Sequence, residues 1–185
     1  MRLFIGIPLA SEAVDALERL SRSLRSANDS LRWSSPETWH ITLQFLGETS
    51  IEKYGNLAQH LGTIKSPPVP VWLHGTAFFD RAGVFFAAVN VSPELRRLEQ
   101  LVAAATAQCG TAAEDRPYHP HVTLARAKGA EKLRALRQLK NRVKSDLEFP
   151  PFTAREFLLY ESFLGPAGAR HEVRDRFPIA AKFGS

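Results

Sequence analysis

The pattern of apolar and polar positions switches repeatedly between a strand-like period of two and a helix-like period of three to four. Residues 2–8 alternate as a strand. Residues 11–26 then carry Val14, Leu17, Leu20 and Leu24 at helical spacing, with Ser11 as the expected cap. A strand over 38–46, stopped by Gly47, is followed by a weaker helical pattern over 50–63 and the loop Ser66-Pro67-Pro68. Two β-rich runs, 69–79 and 84–91, flank Asp80-Arg81-Ala82-Gly83, a hairpin signal. Ser92-Pro93-Glu94 opens a helix that runs to Gln108, with proline in its first turn. After a loop over 110–120, residues 121–126 read as a strand and 130–144 as a basic helix. Two last strands, 152–161 and 171–179, surround the turn Gly165-Pro166-Ala167-Gly168.

Strands adjacent in sequence without intervening helices argue against a purely parallel, doubly wound sheet. The pattern predicts an α+β fold in which a strand, a helix and two β-runs occur twice. The expected architecture is bilobal and duplicated, with two antiparallel-rich sheets packed together in a single domain over 1–185. A pseudo-two-fold relation between the lobes would bring the repeated strands face to face across a central cleft.

Those repeated strands carry one phrase, His40-Ile41-Thr42-Leu43 and again His121-Val122-Thr123-Leu124. Alternation puts His40, Thr42 and Gln44 on one face, opposite Ile41, Leu43 and Phe45. In the second copy His121, Thr123 and Ala125 oppose Val122 and Leu124. A lone strand histidine is most often a hydrogen-bonded structural residue. Core packing, however, does not ask for both histidine and threonine at two separate places. Two imidazoles that titrate near neutrality suit an in-line displacement at phosphorus, one protonating the leaving oxygen and the other deprotonating the nucleophile. The two threonine hydroxyls can donate to the non-bridging oxygens, and no metal is needed. His119 forms a His-x-His pair with His121, but Pro120 intervenes and no third or fourth metal ligand stands out. His60, His74 and His171 lack motif context and read as surface or packing residues. Phe4, Trp33, Trp39 and Tyr118 are candidates to stack on a base, with core packing the alternative.

Composition narrows the setting. An apolar fraction of 44% with 23% charged residues belongs to a folded globular chain. No apolar run approaches the roughly 18 residues of a membrane span, and Pro8 breaks the opening residues too early for a signal peptide. The single cysteine, Cys109, excludes an intramolecular disulfide and cysteine-rich zinc sites, and points to a reducing cytoplasm. The net charge of +5 gathers between Lys128 and Lys144, where Lys132, Arg134, Arg137, Lys140 and Arg142 accumulate. That run suits a polyanion such as RNA, or else is the solvated face of a helix.

The paired His-x-Thr-Leu resembles the signature of the 2H phosphoesterase superfamily. The segments Arg32-Trp33, His40 to Glu48 and Pro117 to Arg126 are similar to the RNA 2′,3′-cyclic phosphodiesterases, also called 2′-5′ RNA ligases. The opening residues 2–8 and the closing Leu159-Tyr160-Glu161-Ser162 with Leu164-Gly165-Pro166 match the same family, so the resemblance covers nearly the whole chain. It implies a bilobal fold with a central cleft, no metal or other cofactor, and RNA bearing a 2′,3′-cyclic phosphate end as partner. By resemblance His40 is the acid on the departing 3′ oxygen, His121 the base for water, and Thr42 and Thr123 are phosphate ligands. Arg126 aligns with a basic residue of the family, yet strand parity sets it opposite His121, so that it needs a bulge or the strand's end to reach the cleft. Gln44 departs from the basic residue often found there. The first strand borders the cleft in the family, which makes Phe4 the favoured base-stacking residue. A cytoplasmic monomer without membrane contact is expected. Hydrolysis of a small cyclic nucleotide such as ADP-ribose cyclic phosphate, or a non-catalytic RNA-binding role, are the alternatives.

Overall fold

Alternating and helical patterns resolve into the elements expected, with one short strand (31–33) added and the expected strands over 69–79 and 152–161 each divided in two. In chain order these are β1 (Arg2–Pro8), α1 (Ser11–Leu24), β2 (Leu31–Trp33), a 3-10 turn (Pro36–Thr38), β3 (His40–Glu48) and α2 (Ile51–Gly62). There follow β4 (Val69–Val71), β5 (Leu73–Phe79), β6 (Val84–Val89), α3 (Pro93–Ala107), β7 (His121–Ala127) and α4 (Lys132–Lys140). The chain closes with β8 (Phe152–Ala154), β9 (Glu156–Gly165) and β10 (Gly168–Pro178). The computed structural model describes residues 1–27, 29–112, 116–127, 129–144, 147–165 and 168–179. Lys128 of the basic run and Pro166-Ala167 of the last turn lie outside the described residues.

Local chemistry explains several boundaries. The Ser50 and Ser92 hydroxyls accept from the amides of Lys53 and Leu95, capping α2 and α3, and such a cap is worth about 1 kcal/mol. Ser11 does not cap α1. Ala10 holds the N-cap position without a side-chain bond, and the Ser11 hydroxyl turns to Glu12. In the 80–83 turn the Gly83 amide reaches the Asp80 carbonyl, and Gly83 has a φ of 70°. A side chain there would also meet the Ala127 carbonyl oxygen at 2.4 Å. Only glycine fits this turn.

Two four-stranded antiparallel sheets, ordered β10-β9-β1-β3 and β2-β7-β6-β5, are joined by the small pair β4-β8. β1 lies between β3 and β9, and β6 lies between β7 and β5. The repeat therefore begins one strand and one helix earlier than the sequence pattern suggests. Its units are β1-α1-β3-α2-β4-β5 and β6-α3-β7-α4-β8-β9. The last strand of each unit pairs with the first strand of the other, so the two sheets exchange strands, and one hydrophobic core runs between them. That core takes Ile5 and Ile7 of β1, Ile41 of β3, Phe85 and Ala87 of β6, Val122 and Leu124 of β7, and the helical Leu17, Leu98 and Val102. Each fully buried Val, Leu, Ile or Phe among these is worth about 1.5–3 kcal/mol.

Both motif strands contain a bulge, which alternation cannot reveal. On β3 the partners of Ile5 and Gly6 are Gln44 and Thr42, which leaves Leu43 unmatched. On β7 the partners of Phe85 and Phe86 are Ala125 and Thr123, leaving Leu124 unmatched. The extra residue sits at the same place in each motif, and parity reverses after it. Gln44 is accordingly turned into the core, 6% exposed, where its Oε1 accepts from the Thr106 hydroxyl at 2.7 Å. This corrects the expected face of Gln44, and removes it from the cleft. Phe45 takes its place outside, 61% exposed. Gly47 does not stop β3 but forms a second irregularity at a φ of 67°, after which pairing continues to Glu48.

The basic helix is shorter than expected and packs on the far side of its sheet. Ala135 and Leu136 of α4 meet Ala127, Leu31 and Phe78. Lys140 binds Asp80, Lys132 binds the Arg81 carbonyl, and Arg134 binds Glu131. The alternative reading of this run, a solvated helix face, is the one the structure supports.

Candidate active site

The two motifs meet where β3 and β7 pack against one another. Each histidine is fixed in the same way. His40 Nδ1 donates to the Thr38 carbonyl at 2.8 Å, and His121 Nδ1 donates to the His119 carbonyl, also at 2.8 Å. A carbonyl only accepts, so both neutral rings carry hydrogen on Nδ1 and keep Nε2 free for chemistry. The Thr42 hydroxyl lies 3.1 Å from His40 Nε2. Thr123 occupies the matching position on β7, opposite Phe86.

Aromatic rings build the walls. Phe4 lies 4.5 Å from the His40 ring and stacks on Tyr160 at 4.9 Å, while Phe79 and Phe86 lie 5.2 and 5.1 Å from His121. Phe4 is 3% exposed, beneath His40, Phe45, Tyr160 and His171. It is therefore no surface for a nucleobase, as the resemblance suggested, but the floor on which His40 rests. Trp33 and Trp39 also belong to the core. Tyr118 donates to the Thr42 carbonyl at 3.3 Å, tying the segment before the second motif to the first motif strand.

The site holds its imidazoles neutral. Burial pushes His40 down to about 4; its bond to Thr38 opposes this, and the charges of His171 and His121 add to it. The effect of the His121 charge on His40 places the second imidazole within electrostatic reach of the first. Burial also lowers His121, aided by the charges of His119 and Arg126 and opposed by the bond to the His119 carbonyl. An anion between the rings would reverse these shifts, since it favours the charged form.

Arg126 reaches this space because of the bulge at Leu124. It sits five residues after His121, as Phe45 sits five after His40, and both strands share one burial pattern. His171 was not foreseen. It stands on β10, edge-on to His40 at 5.3 Å and to Phe4 at 4.9 Å, and its buried Nδ1 has no hydrogen-bond partner among the described residues. No local signal in the charged alternation of 170–176 could have found it. His119 lies 6.5 Å from His121, ring to ring. His60 and His74 have no place at the site.

A paired-histidine cleft between two strand-exchanged antiparallel sheets defines a phosphoesterase-like architecture, and the comparisons agree. The sequence model of the 2′-5′ RNA ligase superfamily matches residues 8–162. The chain belongs to that superfamily. The RNA 2′,3′-cyclic phosphodiesterase of Aeropyrum pernix is 33% identical, over 84% of this chain and 90% of its own. The RNA 2′,3′-cyclic phosphodiesterase of Thermus thermophilus is 31% identical, over the whole of this chain and 93% of its own. Among solved structures, E. coli LigT complexed with 3′-AMP superposes with a TM-score of 0.80 at 25% identity, covering 97% of this chain and 98% of that one.

Proposed function

We propose that this protein hydrolyses RNA 2′,3′-cyclic phosphate ends to 2′-phosphomonoesters, using His40 and His121 as acid and base. The observation that carries the reading is the pair of histidines locked in the same tautomer by the Thr38 and His119 carbonyls, each with a threonine two residues on. His40, protonated, gives its proton to the departing 3′ oxygen as the P–O3′ bond breaks. His121, neutral, takes a proton from the water whose oxygen forms the new bond to phosphorus. Thr42 and Thr123 donate to the non-bridging oxygens, where negative charge concentrates. With a 5′-hydroxyl in place of water, the same pair joins two RNA ends in a 2′-5′ linkage.

A bound phosphate favours the charged form of the acid. His40 is neutral near pH 7 without ligand, and the anionic cyclic phosphate favours its charged form. A depressed pKa also makes the imidazolium a stronger acid toward the leaving oxygen. The reading includes metal independence: among the described residues no three histidine, cysteine, aspartate or glutamate side chains converge as a ligand set. It also treats the two lobes as one domain, acting as a cytoplasmic monomer, with both histidines drawn from a single chain. Among the described residues no helix is long and apolar enough to cross a membrane.

The test is product analysis on an RNA ending in a 2′,3′-cyclic phosphate, with EDTA present. The expected product is the 2′-phosphate, formed at the same rate with and without chelator. A 3′-phosphate product, or loss of activity on chelation with recovery on adding a divalent ion, would overturn it.

A further inference from the structure

His40 rests in a seat with five sides, and only one of the five can change its charge near neutral pH. The Thr38 carbonyl holds Nδ1, and the Thr42 hydroxyl lies beside Nε2. Phe4 lies close to parallel with the ring, at 32°. The bare backbone of Gly6 lies against it too, since a Cβ there would come within 3.2 Å of His40 Cδ2 and 3.5 Å of Tyr160 Cε2. His171 forms the last side, at 85° to the His40 ring with centres 5.3 Å apart. Strand pairing brings it there. His171 pairs with Ser162, and Val173 with Tyr160, which in turn pairs with Phe4, so all of these share one face of the sheet. Tyr160, 5.7 Å from His40 ring to ring, is pushed up to about 12 by burial and stays neutral.

We infer that His171 is a positioning residue for the proposed acid: its ring closes the seat of His40, and its charge opposes the proton that His40 must carry. The inference rests on the functional reading above and adds a third imidazole to it. Two features set His171 apart from a residue that only fills space. Its Nδ1 is buried without a hydrogen-bond partner among the described residues, so no carbonyl locks it as one locks His40 and His121. An unpaired buried ring nitrogen is destabilising, and a hydrocarbon ring would occupy the same space without that penalty. The charge of His171 also acts on His40 directly. When both rings are protonated, two like charges stand 5.3 Å apart, and a proton on His40 is disfavoured. The ionised groups around His171 are otherwise paired or turned away. Arg170 and Glu172, its chain neighbours, lie on the opposite face and bind each other, Arg174 binds Glu161, and Arg176 binds Glu156. Glu37, on the 3-10 turn that packs against β10, is exposed. His121 faces His40 from across the cleft.

The test reads His40 itself. Its ring is titrated by NMR in the unmodified protein and in His171→Phe, which keeps a ring in place but carries no charge. The midpoint of His40 is expected to rise by on the order of half a unit to one unit. An unmoved midpoint would overturn the inference. His171→Ala, which also opens the seat, is expected to lower kcat on a 2′,3′-cyclic phosphate by on the order of tenfold with KM little changed. His171→Phe should recover much of that loss. Equal kcat in all three proteins, or a loss confined to KM, would overturn the positioning role. At neutral pH His171→Phe should hold or raise the Tm, because it removes the unpaired nitrogen; a lower Tm with an unmoved midpoint marks a merely structural residue. If His171→Ala does not fold, the titration of His171→Phe still decides. Were the unmodified protein inactive on every cyclic phosphate, the functional reading would fall instead, and the midpoint of His40 would still test the place of His171.

Discussion

Each half of the cleft is built to the same plan, and their differences divide the labour. Both have a histidine pinned through Nδ1, a threonine two residues on, a bulge at the following leucine, and two aromatic rings behind the imidazole. After the bulge one half shows Phe45 and the other Arg126. Beside the first histidine stands His171, and beside the second His119. The first half is deeper and drier, its histidine driven down to about 4; the second is wetter and carries Arg126, paired across the strands with Arg32. A shared plan fixes the geometry of proton transfer. In the proposed mechanism, the departures from it distinguish the ring that gives the proton from the ring that takes one.

The largest expected effect is from removing either imidazole. His40→Ala and His121→Ala should each lower kcat by on the order of 10²-fold or more. A substrate with a better leaving group at the 3′ position should rescue His40→Ala but not His121→Ala, and the opposite result would exchange the roles of the two halves. Thr42→Ala and Thr123→Ala should cost less, since each removes one neutral donor and leaves the proton transfers in place.

His171→Phe gives an intermediate effect, and sharpens the comparison. The ring contact with Phe4 is retained, but a positive charge no longer opposes protonation of His40. The limb of the kcat/KM profile that belongs to His40 should move to higher pH. Titratable groups facing this ring are His40 and Tyr160, with His121 across the cleft. An unmoved profile would show that His171 only fills space.

The smallest effect is on stability. His40, His121 and His171 are all lowered by burial, so the unfolded chain binds more protons than the folded one below about pH 6.5. Stability should therefore fall as the pH drops from 6.5 toward 4, and His40→Asn should lessen the fall more than His121→Asn. Melting curves across that range measure the difference. Equal slopes in the two variants would remove the contrast in depth between the halves.

Much of this was legible in the chain. The long strands, α2 and α3 lie where alternation, caps and Pro93 indicate, and the repeated phrase marks both halves of the site. What escaped the sequence is non-local. β2 is only three residues long and exists because β7 offers an edge; β4 finds its partner in β8, far along the chain. No residue announces the bulges at Leu43 and Leu124, since their cause is the register of β1 and β6. Those two extra residues decide that Gln44 is buried, Phe45 is exposed and Arg126 reaches the cleft. Phe4 and His171 are brought together by the pairing of β1 and β10 with β9, which leaves no trace in a one-dimensional pattern.

The exchange of strands also bears on synthesis. β1 receives one neighbour early, when β3 is made, but its other neighbour is β9, where Leu3 meets Glu161. At about 5–20 residues per second, the intervening chain takes on the order of ten seconds to emerge from a ribosome. Throughout that interval β1 presents an open, apolar edge of the kind prone to wrong pairing. Tyr160, which completes the floor under His40, arrives with the strand that closes this edge. The floor beneath His40 is therefore complete only when this exposed strand is covered.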